Sequence, residues 1–503
     1  MIENLLLGFS QALTLENLFY CFTGVFVGTF IGVLPGVGAL AAVSLLLPVT
    51  FYLEPLSALI MLAGIFYGAE YGGSISAILL NLPGTTSSAV VCLDGYPMAK
   101  NNRAGVALFV TAIASFIGGS IGIVLLMALA PAFVALALNF SAPEYFAVIV
   151  FGLIAASTIS QGSQIKSIAM VLTGLGLGTV GMDVNTGIPR LTFGMRELYD
   201  GISIVAVAMG LFGVSEIIAS VRYASRQRTK IKVSMRDMLP TWDETRRSIL
   251  PTMRGTSIGS LFGALPGTGA TVASFISYAI EKRVSRHPER FGKGAVEGIA
   301  GPESSNNAAA QTAFIPTLTL GIPGTATMAL ILGAMMIHGI TPGPSMISNE
   351  PVVFWGLIAS FWIGNVLLLV LNIPLIRFWV AVLQTPYRLL YPAVIGLICI
   401  GVYSINRSVF DVYLVFILGI MGYGMRLLNF QPAPLLLGFV LGPLLEENFR
   451  RSLIISRGDY GIFLERPISA AVLAVSLGLL ILALYSNVRQ RCNAKTSRAS
   501  GSG

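Results

Sequence analysis

Four Pro-Gly steps interrupt otherwise apolar stretches of the chain: Pro35-Gly36-Val37-Gly38, Pro83-Gly84-Thr85-Thr86, Pro266-Gly267-Thr268-Gly269 and Pro323-Gly324-Thr325. The chemistry these residues offer is recognition of an anion by backbone rather than bond making. A break in a membrane helix frees N–H and C=O groups, which are tolerated only where protein, water or a ligand satisfies them. Discontinuous helices that point their N-termini at one midplane site place partial positive charge there. That suits an anionic substrate without a buried arginine. Proline fits the first turn of a half-helix, where its missing N–H costs nothing. Glycine lets a ligand approach the backbone, and Thr85, Thr86, Thr268 and Thr325 add hydroxyls. Packing kinks between close helices would account for any one break; four at matched places favour a substrate site.

Polar residues inside the apolar stretches are few, so each is informative. Glu70 lies within Phe66-Tyr67-Gly68-Ala69-Glu70-Tyr71-Gly72-Gly73, apart from any loop. It reads as a cation or proton carrier, or as a carboxylate hydrogen-bonded to neighbouring spans. The run Glu303-Ser304-Ser305-Asn306-Asn307 offers amide oxygens suited to Na⁺, or is a polar helix start at the membrane surface. The cation-coupling candidates are therefore Glu70, Asn306 and Asn307, with Na⁺ or H⁺ as the coupling ion and no other cofactor or metal expected. His338 sits near a loop and reads as incidental. Asp183 and Asn185 close a Gly-rich span and are expected to cap it. The chain contains only His287 and His338, and it carries no HExxH, no Walker Gly-Lys-Ser/Thr and no GxSxG pattern. The Leu-Pro-Gly-x-Gly-Ala runs echo nucleotide-binding glycine loops but lack the preceding strand and the phosphate-binding lysine. An enzyme and an ATP-driven pump are both disfavoured.

The elements that carry these residues must be membrane helices. Of the 503 residues, 55% are hydrophobic and 11% charged, and mean hydropathy is +0.80. Soluble proteins carry about 25% charged residues. Net charge is +8, but the basic residues are concentrated in a few loops, as in cytoplasmic loops facing anionic lipid, and nucleic acid is not expected as a partner. Cys21, Cys92, Cys399 and Cys492 are isolated, which suggests neither disulfides nor a zinc site. No basic n-region precedes the first apolar run, so a cleaved signal peptide is not expected. The last residues, Ser497–Gly503, read as an expression remnant.

Self-comparison reveals two halves. Gly32-Val33-Leu34-Pro35-Gly36-Val37-Gly38-Ala39 recurs as Gly263-Ala264-Leu265-Pro266-Gly267-Thr268-Gly269-Ala270, an offset of 231. Asn81-Leu82-Pro83-Gly84-Thr85 recurs as Gly321-Ile322-Pro323-Gly324-Thr325, an offset of 240. Gly152-Leu153-Ile154 matches Gly396-Leu397-Ile398 at an offset of 244. Three collinear matches read as duplication.

Basic residues set orientation. The first Lys or Arg is Lys100, so both flanks of segment 24–47 lack them. Segment 255–281 has basic flanks on both sides, from Arg222 to Arg254 before it and from Lys282 to Lys293 after it. A segment that enters and returns on one side gives two arms of ~20 Å, short of the ~30 Å hydrocarbon core. Residues 24–47 then form a hairpin from the periplasm and 255–281 one from the cytoplasm; ordinary long, tilted spans are the alternative. Further spans are expected at 57–91, 105–138, 143–165, 168–182 and 200–221, with counterparts at 297–337, 352–376, 390–405, 409–426 and 432–445. A last span is expected at 467–488. The expected architecture is an all-α polytopic membrane protein of two inverted-topology repeats. Each repeat has a re-entrant hairpin and a broken transmembrane helix. Residues 1–221 form the first repeat, 222–254 a basic cytoplasmic linker and 255–460 the second repeat. Residues 461–490 form the extra C-terminal helix and 491–503 a tail.

The Gly-x-Leu-Pro-Gly-x-Gly-Ala run, Tyr71-Gly72-Gly73-Ser74 leading to Asn81-Leu82-Pro83-Gly84, and Gly301-Pro302-Glu303-Ser304-Ser305-Asn306-Asn307-Ala308-Ala309 leading to Gly321-Ile322-Pro323-Gly324 carry a family resemblance. Together they resemble the large membrane subunit of the tripartite tricarboxylate transporters, up to about residue 490. The resemblance implies a secondary carrier in the bacterial inner membrane, driven by Na⁺ or H⁺. It implies a small four-span membrane subunit and a periplasmic solute-binding protein as partners, with citrate or another organic acid as substrate. A membrane scaffold or enzyme subunit whose breaks serve packing, and a channel, are the competing readings.

Overall fold

A chain with this much apolar surface satisfies its backbone in lipid most simply as helices, and nearly all of its regular structure is helical. The computed structural model describes residues 2–159, 163–183, 186–221, 238–265, 267–383 and 387–482. The first helices are α1 (Ile2–Ala12), α2 (Leu15–Val33), α3 (Gly38–Thr50), α4 (Pro55–Leu80), α5 (Cys92–Lys100), α6 (Ala104–Ala137), α7 (Ala142–Ile159) and α8 (Gln164–Gly178). Next come α9 (Ile204–Ala208), a π-helical turn over Met209–Val214, α10 (Ser215–Val221), α11 (Trp242–Ala264), α12 (Gly269–Val284), α13 (Glu297–Thr312), α14 (Phe314–Leu320) and α15 (Ala326–Ile337). The chain continues through α16 (Met346–Asn349), α17 (Pro351–Asn372), α18 (Ile376–Val382), α19 (Tyr387–Asn406), α20 (Val409–Leu427), α21 (Pro432–Ile455) and α22 (Ile462–Glu465). The last described helix is α23 (Pro467–Leu482). Among the described residues, α2, α4, α6, α17 and α20 are long and apolar enough to cross a membrane.

The chain forms two compact units, Met1–Ala137 with Val205–Tyr423, and Leu138–Ile204 with Gly424–Gly503. Each takes segments from both expected halves, so the compact units are not the halves themselves. At the centre of the first unit are α4 and α13. Every residue from Leu56 to Leu79 and from Gly298 to Thr312 is buried, although α13 is far from uniformly apolar. Two close helix pairs build this centre, α2 with α4 and α11 with α13. A methyl group added at Gly24, Gly28 or Gly32 of α2 would lie 2.4, 2.4 and 2.3 Å from the carbonyl oxygens of Met61, Ile65 and Ala69. Added at Gly255, Gly259 or Gly263 of α11, it would lie 2.0, 2.1 and 2.4 Å from those of Gly301, Ser305 and Ala309. Partners advance in the same sense in both pairs, so each pair is parallel. Small-residue spacing of this kind is how helix backbones approach closely where lipid supplies no hydrophobic drive.

The second unit pairs α8 with α21, where Gly174 and Gly438 face the carbonyls of Leu435 and Val171. A two-stranded antiparallel ribbon, β1 (Gly181–Met182) with β2 (Pro189–Arg190), follows α8. Asp183 does not cap α8, which ends at Gly178 with Thr179 as its cap. Its carboxylate instead pairs with Arg450 at 3.0 Å and Arg190 at 3.5 Å, as an anion at a helix C-terminus would oppose the macrodipole. Asn185, Pro266, the linker residues 222–237 and the tail 491–503 lie outside the described residues.

Helix ends depart from hydropathy where caps intervene. Where a hairpin is expected at 24–47 the chain forms α2 and α3, 19 and 13 residues long. The one at 255–281 becomes α11 and α12, of 23 and 16 residues. Thr14 starts α2 by accepting the Asn17 N–H. Thr241 and Glu244 form a capping box that starts α11, and Arg103 adds an ion pair to Glu244. The first arms are thus ~28 and ~35 Å long at ~1.5 Å per residue, beyond the expected ~20 Å.

Candidate functional site

All four breaks belong to the first unit, and a chain of contacts joins them. The turn after α2 presents Gly36 and Gly38 with φ of +86° and +73°, a backbone that glycine adopts freely. The Gly36 N–H donates to the Pro83 carbonyl at 3.2 Å. After α11, the Gly267 N–H donates to the Gly324 carbonyl at 2.8 Å. The turns after α2 and α11 are therefore each tied to a later break, the first to that at Pro83 and the second to that at Gly324. Between these two pairs of breaks, the hydroxyls of Thr86 and Thr271 hydrogen-bond at 2.7 Å. Both second breaks begin with a left-handed residue that ends the preceding helix, Asn81 (φ +56°) after α4 and Gly321 (φ +68°) after α14. Within the expected spans 57–91 and 297–337 the helix accordingly ends before the break, and helical structure resumes after it at Ser87 and Ala326.

The hydroxyls proposed from sequence are largely engaged in local structure. Thr268 Oγ1 donates to the carbonyls of Phe262 and Leu265, closing the end of α11. Thr325 accepts the Met328 N–H at 3.2 Å and caps α15. Thr85 shares hydrogen bonds with Ser87 and Ser88. The backbone tells a different story: α3 and α12 begin at Gly38 and Gly269 with no side-chain cap. Uncapped N–H groups with the positive end of a helix dipole behind them are a ready anion site. No Lys or Arg lies within ten residues of any break. One acidic group that sequence reasoning passed over, Glu216 on α10, faces Gly36; its Oε1 lies 3.4 Å from where a Gly36 Cβ would stand.

The second break is tied to the buried carboxyl groups. Its Gly84 N–H donates to Gly73 O of α4 at 3.2 Å, and Ser87 donates to Glu70 Oε2 at 2.5 Å. Glu70 is 8% exposed and Glu303 0%. Glu303, on α13, accepts from Ser74 of α4 at 2.7 Å, from Ser115 of α6 at 2.9 Å and from Asn307 at 3.1 Å. The amide nitrogen of Asn307 thus serves Glu303 rather than standing free, while Asn306 faces Glu70. Sequence reasoning named Asn307 and passed over Glu303 as a coupling residue. The signal was present, because residues four apart share a helix face. His338, at the end of α15, meets the Thr50 backbone and Glu54, and burial lowers its imidazole below the usual histidine range.

At the loop end of α12, Asp94 of α5 is fully buried. Its Oδ1 accepts the N–H groups of Gly292, Gly294 and Ala295 at 2.9, 2.8 and 2.7 Å, and its Oδ2 accepts the Tyr278 hydroxyl at 2.9 Å. It fixes the loop that leads into α13.

Comparison with known proteins supplies the lineage. The model of the Tripartite tricarboxylate transporter TctA family matches residues 18–437. A protein of Agrobacterium vitis described as "Uncharacterized 52.8 kDa protein in TAR-I ttuC' 3'region" is 52% identical over 491 residues, 98% of each chain. A second from the same organism, "Uncharacterized protein in TAR-II ttuC' 3'region", is 57% identical over 233 residues, 46% of this chain and 96% of that one. No solved structure matches.

Proposed function

The chain belongs to the tripartite tricarboxylate transporter TctA family, and from that premise we propose that it imports a small carboxylate, a tricarboxylate or related organic acid, across the bacterial inner membrane. The family is one of transporters, not enzymes, and its members work within a tripartite system. The partners in this reading are a small four-span membrane subunit and a periplasmic solute-binding protein that delivers the acid. Coupling is to Na⁺ or H⁺ through Glu70, Asn306 and Asn307. The two halves are inverted repeats whose hairpins move with their partner helices against a scaffold, in the manner of an elevator.

The observation that carries the reading is the joining of all four breaks around two uncapped helix starts, Gly38 and Gly269. An organic acid needs N–H donors and a positive field, and these helix starts offer both without a fixed cation. The duplication is supported by the two parallel pairs. Gly24, Gly28 and Gly32 stand to Gly255, Gly259 and Gly263 at the offset of 231 seen around the prolines. Their partners Met61, Ile65 and Ala69 stand to Gly301, Ser305 and Ala309 at the second offset, 240.

The test is uptake of labelled citrate and dicarboxylates into proteoliposomes containing this chain, the small subunit and the binding protein. Gradient-dependent, saturable accumulation of one of them is expected. Absence of uptake for every organic acid tried, with the three proteins shown to be folded, would sink the reading; non-saturating flux would favour a channel.

A further inference from the structure

The helices that follow the two Leu-Pro-Gly runs, α3 and α12, differ along one face. At the offset of 231 that relates the runs, Thr271, Ser274, Tyr278 and Glu281 of α12 stand where α3 has Leu40, Val43, Leu47 and Thr50. Steps of three, four and three residues put all four on one side of a helix. In α12 each of them is a tether. Thr271 hydrogen-bonds Thr86 at 2.7 Å, and Ser274 donates to the Pro302 carbonyl of α13 at 3.2 Å. Tyr278 donates to Asp94 of α5 at 2.9 Å. Glu281, 1% exposed, receives the Arg254 guanidinium of α11 on both oxygens, at 2.8 and 2.6 Å. A bidentate pair of this kind is strong and fixes geometry. α12 is thereby fastened to α5, α11, α13 and the break that contains Thr86.

α3 carries no such tethers. Its Leu40, Val43 and Leu47 side chains cannot hydrogen-bond, and the hydroxyls of Ser44 and Thr50 turn back to the Ala41 and Leu47 carbonyls of α3 itself. Among the described residues no side-chain hydrogen bond or ion pair joins α3 to α2, α4 or the π-helical turn. Its flanks meet small or apolar groups, Leu45 beside Gly213 and Pro48 beside Gly401 of α19. Polar contacts gather instead at its far end, where the Thr50 backbone meets His338 and Tyr52 donates to Ser404 O. Pro48 lies just inside that end. It brings no N–H to the Ser44 carbonyl, and helices bend at such a turn. α12 contains no proline.

We propose that α3 is a lid: it swings at Pro48 about its anchored end and opens the break at Gly36–Gly38, whereas α12 stays fastened and moves only together with α11 and α13. The catch is the Gly36 N–H on the Pro83 carbonyl at 3.2 Å. One arm then gates the breaks and the other is part of the body. The motion follows from the tether pattern; its consequence for uptake rests on the transport function proposed above.

Hydrogen exchange of the full chain in lipid nanodiscs, with no organic acid present, tests the motion. Amides of 39–47 are expected to exchange at least about tenfold faster than those of 270–280. Equal or slower exchange in α3 would overturn the lid. Ser274→Val with Tyr278→Leu gives α12 the residues of α3, and its exchange should rise at least about tenfold while that of α4 is unchanged. Should that chain fail to fold, Ser274→Val alone serves, with a rise of about twofold. Unaltered exchange of α12 would show that the tethers do not hold it. For the gate, a Cβ at Gly213 would stand 3.5 Å from Leu45 Cδ2, so Leu45→Cys with Gly213→Cys, in a chain without the native cysteines, sets two thiols within reach of a bridging Hg²⁺. In proteoliposomes with the small subunit and the binding protein, Hg²⁺ is expected to cut uptake at least about tenfold and dithiothreitol to restore it. Each single-cysteine chain should stay active in Hg²⁺. Full uptake with the bridge formed would overturn the lid. Absence of uptake for every organic acid before bridging would instead count against the transport function, and the exchange contrast would still decide the motion.

Discussion

Gly36 and Gly84 meet in one cluster but respond differently to an added methyl group. At Gly84 a Cβ would stand 2.0 Å from Gly32 O and 2.5 Å from the Gly73 Cα, backbone atoms that cannot yield without parting α2 from α4. Packing alone explains that glycine, and Gly84→Ala is expected to lose more than ~2 kcal/mol and its monodisperse peak in size-exclusion chromatography. At Gly36 the nearest atom is the Glu216 carboxylate at 3.4 Å, and the obstacle is the left-handed φ. Gly36→Ala should fold at a cost of about 1 kcal/mol yet lose uptake, because the methyl crowds the N–H groups of the tip. Full uptake would show that no ligand approaches there. Asp94 makes a separate residue-scale case, since one carboxylate oxygen answers three backbone donors and the other Tyr278. Asp94→Asn keeps a single acceptor and turns an amide toward one of these donors. A loss of about 1–3 kcal/mol is expected in thermal unfolding, and Tyr278→Phe should lose less. An Asp94→Asn chain as stable as wild type would show that the latch contributes nothing.

Elements are where the sequence was most and least legible. The breaks could be read because Pro and Gly punctuate an apolar pattern and because duplication repeats the punctuation. The lengths of the hairpin arms could not: α11 runs from Trp242 through Asp243, Glu244, Arg246, Arg247 and Arg254, residues that a hydropathy reading assigns to a loop. What starts that helix is the Thr241 capping box, in which the Glu244 carboxylate accepts the Thr241 N–H and hydroxyl at 2.9 Å each. The network around Glu303 stayed hidden for another reason, since Ser74, Ser115 and Asn307 come from three helices whose packing no single-segment pattern reveals. The capping box makes a pH prediction. Burial works against ionisation of Glu244, but the Thr241 N–H and hydroxyl and the Arg103 guanidinium outweigh it and hold its carboxyl below the usual range. A depressed carboxylate stabilises above its unfolded value, about 4.3 for Glu, and loses that contribution as pH falls through its folded value. Wild type should therefore lose unfolding temperature on acidification, while Glu244→Gln starts lower at pH 7 and changes less. Parallel pH profiles for the two would remove the cap from the account.

For the whole molecule, the contacts at the two ends of the first unit argue for opposed hairpins. The start of α2 lies beside the start of α4, where Ser57 donates to Asn17 at 2.7 Å. The end of α3 meets His338 through Thr50, and Tyr52 donates to Ser404 O at 2.5 Å. The start of α11 instead meets Arg103 through Glu244, and the loop after α12 wraps Asp94. Those partners lie beyond the far end of α4, a helix of 26 residues or ~39 Å. Hairpins that open at opposite ends of one long central helix would open to opposite sides of a membrane. The basic residues near Arg286 would then face the cytoplasm, in keeping with the positive-inside rule. Thr50 is buried and a poor reporter, whereas Tyr52 is 66% exposed and Arg286 is also exposed. In a background without the native cysteines, Tyr52→Cys should react with an impermeant maleimide added to intact spheroplasts, and Arg286→Cys only after permeabilisation. Reaction of both from the same side would refute the inverted arrangement. With it would fall the expectation that one set of breaks is reached alternately from either face.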